Sequence, residues 1–213
     1  MKNQNFKKWG RLIKKVLNDC WEFRSLCEKP FDRGFIGELL VLKRLLEKYK
    51  AQLGSTRGEF FYAGSSNAEW DIKLRFNGKS ILFDAKATTT PASKSDSRPK
   101  WVRQKARNFC NIKIGKDGKQ HVSLFSKNNF NPNLFYVFVD VIVWLENRHA
   151  NYYILSDKEA KSIFGKKYKK DHDGKIRRND TADFHVEYND VKNFKDRYPK
   201  FQATKLRHKK IGE

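Results

Sequence analysis

Residues 69–87 read EWDIKLRFNGKSILFDAKA, two alternating runs on either side of Asn77-Gly78. Asn-Gly between such runs is the strongest short hairpin signal, because a type I′ turn needs positive φ at both central residues. Counting outward from the turn sets the expected register. Phe76 faces Lys79, Arg75 faces Ser80, Leu74 faces Ile81, and further out Asp71 lands opposite Asp84, with Glu69 meeting Lys86 one pair beyond. Alternation turns Trp70, Ile72, Leu74 and Phe76 to one face together with Ile81, Phe83, Ala85 and Ala87. The other face then collects Asp71, Asp84, Lys86 and Glu69.

Opposed residues on one face have Cβ atoms roughly 4.5–5.5 Å apart, and like charges placed there destabilise a sheet. Two carboxylates in that position repel unless one protonates or a cation sits between them. Hard oxygen donors favour Mg²⁺ or Mn²⁺, and Mg²⁺ takes one or two carboxylates before completing its octahedron with waters and phosphate oxygens.

A third acid has the same oddity. A helix is expected from Asp32, as N-cap, to Tyr49. At 100° per residue Glu38 falls between Leu42 and Leu45, on a face that Phe35, Leu39, Leu46 and Tyr49 complete. A carboxylate there is costly unless paired or metal-bound. A buried salt bridge to Arg33 or Lys86 explains Glu38 as well as a metal does.

Charge is the strongest global signal. The 213 residues carry 46 Lys+Arg against 24 Asp+Glu, a net +22, which suits a polyanion such as a nucleic-acid backbone and exceeds what solubility asks of a small domain. Aromatic content of 14% argues against disorder. Cys20, Cys27 and Cys110 cannot all pair, and their spacing suits no zinc site, so they read as buried thiols. The N-terminal MKNQNFKKWG lacks an apolar signal-peptide core, and the longest apolar run, Leu134–Leu145, is broken by Asp140 and too short to span a membrane. A cytoplasmic protein without membrane association is expected.

Residues 6–21 show helical spacing of Phe6, Trp9, Leu12, Ile13, Val16, Leu17 and Cys20, with lysines opposite. Strands are expected at Glu59–Ala63, Glu69–Phe76, Ser80–Thr88, Leu134–Leu145, Asn151–Leu155 and Phe184–Tyr188. Helices are expected at Trp101–Cys110, Asp157–Phe164 and Asp190–Arg197. Asp140 is expected to cap a bulge or bond to backbone. Asp171-His172-Asp173-Gly174 has the look of a calcium loop but ends on Ala182 where a bidentate glutamate is needed.

Taken together, Glu38 on a helix, Asp71 at the start of a strand and Asp84-Ala85-Lys86 in its hairpin partner resemble the PD-(D/E)XK nuclease superfamily. The resemblance covers roughly residues 33–156, in the order helix, three strands, helix, two strands. It departs at Trp70, where the family often has proline. The segment FHVEYNDVKNFKDRYPKF is similar to the closing strand and helix of some small prokaryotic members. The resemblance implies an α/β fold with a restriction-endonuclease-like central mixed sheet flanked by helices, an extra N-terminal helix and a basic C-terminal extension. The expected division is 1–30 for a basic amphipathic helix, 31–165 for the nuclease core and 166–213 for a basic loop, closing strand, helix and tail.

The same resemblance implies that Asp71 and Asp84 bind Mg²⁺ (or Mn²⁺), that Glu38 assists with a metal or its water, and that Lys86 orients or deprotonates the attacking water. These residue types suit phosphodiester hydrolysis. The acids hold a metal, the metal supplies most of the electrostatics, and a lysine beside it accepts or positions a proton. Lys100, Arg103, Gln104, Lys105 and Arg107 lie on the expected helix that flanks the site, where Gln104 resembles a glutamine some members carry. Lys166, Lys167, Lys169, Lys170, Arg177 and Arg178 form the densest basic cluster. Both groups are candidates for phosphate contacts, which need only charge. The expected activity is a Mg²⁺-dependent DNA endonuclease of restriction, defence or mobile-element processing, with RNA not excluded as substrate. A homodimer is compatible with it, since two strands need two sites. The alternatives are a non-catalytic nucleic-acid-binding protein that keeps the fold, and a nuclease specific for junctions or flaps.

Overall fold

The structure, a computed structural model, describes residues 4–23, 30–54, 58–63, 70–87, 108–113, 130–163 and 183–200. Two helices come first, α1 over Gln4–Glu22 and α2 over Pro30–Lys48, followed by a single turn α3 over Lys50–Leu53. Helix α2 starts at Pro30 rather than at an Asp32 cap; proline suits a first helical position because its missing N–H has no partner there in any case.

Strands β1 (Gly58–Tyr62), β2 (Ile72–Phe76) and β3 (Lys79–Ala87) form an antiparallel meander. Its turn is the expected one. Asn77 and Gly78 have φ of 50° and 78°, and the pairs Phe76↔Lys79, Arg75↔Ser80 and Leu74↔Ile81 follow. Strand β5 (Leu134–Val139) then adds parallel to β3, and β6 (Tyr152–Ser156) pairs antiparallel with β5. The result is an α/β protein with a five-stranded mixed sheet, order β1-β2-β3-β5-β6, flanked by helices. A separate two-stranded antiparallel sheet joins β4 (Asn108–Lys113) to β7 (Asp183–Glu187). Asn108–Cys110 is thus strand, where the sequence pattern suggests the end of a helix; the preceding residues 101–107 lie outside the described residues.

The apolar run Leu134–Leu145 is not one strand. It divides at Asp140 into β5 and a helix α4 over Val141–Asn147. The Asp140 carboxylate accepts from the Val143 N–H at 3.1 Å, which satisfies a donor that the first helical turn leaves orphaned. Asp140 therefore does bond to backbone, as a helix cap rather than at a bulge. A capping box starts the next helix, over 157–163. The Ser156 N–H donates to Glu159 Oε2 at 2.9 Å, and the Glu159 N–H donates back to Ser156 Oγ at 3.4 Å.

Two apolar layers sandwich the sheet. On one face α1 (Ile13, Leu17) and α2 (Ile36, Leu39, Leu42, Leu45, Leu46) pack over Ile72, Leu74, Phe83, Val137 and Val139. On the other face Leu134, Tyr136, Phe138, Tyr153 and Leu155 meet Ala160 and Val191. Phe35 is exposed at 43%, so the buried side of α2 does not extend to it. Cys20 packs half-buried against the first layer.

One close approach seats α2 on the sheet. A Cβ added to Gly37 would lie 2.8 Å from Ala87 Cβ and 3.2 Å from Val139 Cγ1. Glycine lets the helix ride directly over the end of β3, and Glu38 is the next residue. Gly37→Ala is expected to destabilise the protein by about 1–3 kcal/mol through overpacking, despite the roughly 1 kcal/mol better helix propensity of alanine. A lower urea midpoint at unchanged slope would register the loss.

Candidate active site

Strand β2 stops at Ile72 while β3 runs on to Ala87, and the site lies in the gap this leaves. The ladder's last pair is Ile72↔Phe83; beyond it the Asp71 N–H donates to the Phe83 carbonyl at 2.9 Å, one residue short of the Asp84 that the hairpin register would set opposite it. There the chain bends. Asp71 Oδ2 accepts from the Ala85 N–H at 2.6 Å, a donor that a longer β2 would have engaged through its backbone. The Asp71 side chain thus ends the ladder, and its carboxylate comes within hydrogen-bonding reach of Asp84.

Asp84 and Lys86 share a face of β3. Lys86 Nζ lies 2.6 Å from Asp84 Oδ1, with the lysine side chain 35% and the aspartate 16% exposed. Lys86 therefore pairs within its own strand; its expected partner Glu69 lies outside the described residues. Burial pushes the Asp84 carboxyl up from 3.8 to about 6, the charge of Asp71 and the hydrogen bond to it push the same way, and Lys86 opposes them. One ammonium does not compensate two carboxylates in a desolvated gap.

Glu38 reaches the gap from α2, on the other side of the sheet. The Tyr62 hydroxyl donates to Glu38 Oε2 at 2.6 Å. Burial raises the Glu38 carboxyl above its ordinary 4.5; the Tyr62 bond lowers it, Asp71 raises it and Lys86 lowers it. Glu38 thus feels both Asp71 and Lys86, so the four expected residues converge. A tyrosine hydrogen-bonds it, and Lys86, one of the two expected partners, acts on it through its charge. The Tyr62 hydroxyl is itself raised by burial and by Glu38.

Tyr62 is the site residue that sequence reasoning misses. It closes β1 and pairs with Ile72, which puts it on the α2 side one step from Asp71. The β1–β2 connection carries no turn signal of the Asn-Gly kind that would set this register in advance. Tyr62→Phe is expected to raise the Glu38 carboxyl further, an effect a carbon-detected NMR titration of the carboxylates would resolve.

Among the described residues, no group of three or more His, Cys, Asp or Glu side chains is disposed to hold a metal ion. The donor set is therefore the Asp71–Asp84 pair, with Glu38 tied to Tyr62 beside it. A pair of carboxylates suits Mg²⁺ or Mn²⁺, since Mg²⁺ commonly engages only one or two. Burial first and the neighbouring Asp71 second hold the Asp84 carboxyl up at the same point, against the pull of Lys86. The four residues are not part of the cavity of about 840 Å³ that Tyr49, Phe135, Glu159, Arg197 and Tyr198 help to line.

No protein-family model, curated protein or solved structure matches this chain. Geometry and chemistry therefore carry the functional reading alone. Trp70 is the one position near the site where the structure departs from the alternation. Lys73 Nζ lies 5.9 Å from its ring centroid, and the ring packs with Leu82 against the second apolar layer, so Trp70 faces opposite to Ile72. Alternation holds only while a strand lasts, and β2 starts after the bend at Asp71. Lys100, Arg103, Gln104, Lys105, Arg107, Lys166, Lys167, Lys169, Lys170, Arg177 and Arg178 lie outside the described residues. No helix among the described residues is long and apolar enough to cross a membrane.

Proposed function

We propose that this protein is a Mg²⁺-dependent endonuclease that hydrolyses DNA phosphodiester bonds, with a restriction-endonuclease-like sheet. The observation that supports it best is the Asp71–Asp84 pair at the broken end of the β2–β3 ladder, with Lys86 2.6 Å from Asp84. Two carboxylates forced together without a matching cation cost stability, and a protein keeps such a pair where a cation and its chemistry repay it. The net charge of +22 suits a polyanionic substrate.

Each residue has a part. Asp71 and Asp84 would hold the ion, Asp71 being fixed by the Ala85 N–H. When bound, Mg²⁺ stabilises charge on the phosphoryl oxygens and lowers the pKa of a water. Lys86 is oriented by Asp84, so its ammonium can position the attacking water, and it would take that water's proton only after releasing its own to solvent. Glu38, aligned by Tyr62, offers a second oxygen acceptor toward that water from the helix side. A setting in restriction, defence or mobile-element processing follows by analogy with stand-alone nucleases of this size.

One feature favours a second reading, a nucleic-acid-binding protein without catalysis. The Lys86–Asp84 pair can satisfy both groups without a metal. Plasmid and branched-DNA cleavage with Mg²⁺, Mn²⁺ and EDTA separates the two. Divalent-dependent nicking that Asp84→Asn removes supports the nuclease, and binding without cleavage under either metal supports the alternative. Activity on junctions or flaps but not on plain duplex would make it structure-specific.

A further inference from the structure

The face of β1 and β2 opposite α2 carries an uncommon row of side chains. Phe61 pairs directly with Lys73 and remains 41% exposed. Lys73 Nζ lies 5.7 Å from the Phe61 ring centroid and 5.9 Å from that of Trp70, so one ammonium stands between two rings less than about 12 Å apart. Arg75 follows on the same face, its guanidinium 5.9 Å from Phe61 and its Nη1 3.5 Å from Glu59. At the other end Trp70 adjoins Asp71 and therefore the carboxylate pair.

This order of groups matches what an unpaired nucleotide needs. A base freed from a duplex presents a π-face, which stacks on an aromatic side chain irrespective of sequence, while its phosphate takes any cation nearby. Duplex DNA hides its base faces and would leave Phe61 without a partner. A cross-strand cation–π contact needs one ring and one cation; the row has two of each and leads to the site. Glu59 is the anion that pairs with Arg75 on this part of the face. Its exposed ion pair with Arg75 is weak and can give way to a phosphate.

We propose that the Phe61–Lys73–Trp70 face, with Arg75, binds a single-stranded stretch of nucleic acid, one or two bases stacking on the rings, and leads that strand to the Asp71–Asp84 pair. The last clause rests on the nuclease reading; the binding does not. The test is therefore made in EDTA, by fluorescence anisotropy of a labelled oligothymidylate and of a duplex of equal length. Phe61→Ala is expected to weaken the single strand about 5- to 30-fold and leave the duplex within about twofold, with Phe61→Trp restoring affinity and Phe61→Leu failing to. Lys73→Gln should lower the salt dependence of single-strand binding by about one ion. Single-strand affinity unchanged in Phe61→Ala overturns the proposal, as does an equal loss for duplex, or rescue by Phe61→Leu. Thermal melting of each variant shows that it is folded. A wild-type protein that nicks duplex but does not bind the oligothymidylate would sink this inference alone, and single-strand binding without cleavage would sink only the nuclease.

Discussion

Asp84→Asn is expected to abolish divalent-dependent cleavage, by roughly 10³-fold or more, and at the same time to stabilise the metal-free protein at neutral pH. The two effects have one cause. Burial and the neighbouring Asp71 hold the Asp84 carboxyl at about 6, against 3.8 in an open chain. Between those values the folded protein keeps a proton that the unfolded chain has released, so stability falls as pH rises through the window and is lowest above it. The interval corresponds to about 3 kcal/mol at pH 7 as an upper figure, because denatured chains and solvent penetration both reduce it. Asparagine has a similar shape and carries no charge, so the variant should lose this pH dependence. Thermal melts of both proteins in EDTA at pH 4.5, 6 and 7.5 would measure it, and a stability difference between Asp84→Asn and wild type that does not grow from pH 4.5 to 7.5 would contradict the assignment. Added Mg²⁺ should reverse the picture for the wild type, raising its melting temperature more at pH 7.5 than at pH 5, and leave Asp84→Asn unaffected.

The hairpin behind this prediction was legible because its information is local. Asn77-Gly78 selects the turn, the turn selects the register as far as Ile72↔Phe83, and Asp71 follows just past that pair, beside Asp84. Glu38 was legible as an acid on an apolar helix face, although not its partner. Tyr62 meets it only through the pairing of β1 with β2, a register that no Asn-Gly signal sets in advance. The division at Asp140 was hidden for another reason. Val141, Ile142 and Trp144 are buried in a helix as they would be in a central strand, and an unbroken apolar run has no period to separate the two. The aspartate was the available signal, since a helix cap is among the few reasons to place one in such a run. Trp70 shows the limit of alternation, which says nothing of a residue before the bend where the strand starts.

Lys86 separates a proton carrier from a mere counter-charge, and its variants should show which it is. Lys86→Ala removes the ammonium 2.6 Å from Asp84. The Asp84 carboxyl then loses the one opposing influence of a cation and should move above about 6, which a carboxylate NMR titration in EDTA would follow. Cleavage should fall by roughly 10²–10⁴-fold, the usual worth of a positioned acid or base, while single-strand and duplex binding in EDTA change little. Lys86→Arg decides the role. A guanidinium keeps the charge beside Asp84 but stays protonated throughout the accessible pH range. If Lys86 takes a proton from the attacking water, arginine restores the Asp84 titration and not the cleavage. If arginine restores both, the lysine acts by charge and orientation alone, and the proton must leave by way of Glu38 or solvent; Tyr62→Phe, which disturbs the alignment of Glu38, would then depress cleavage equally in the arginine background and in the wild type.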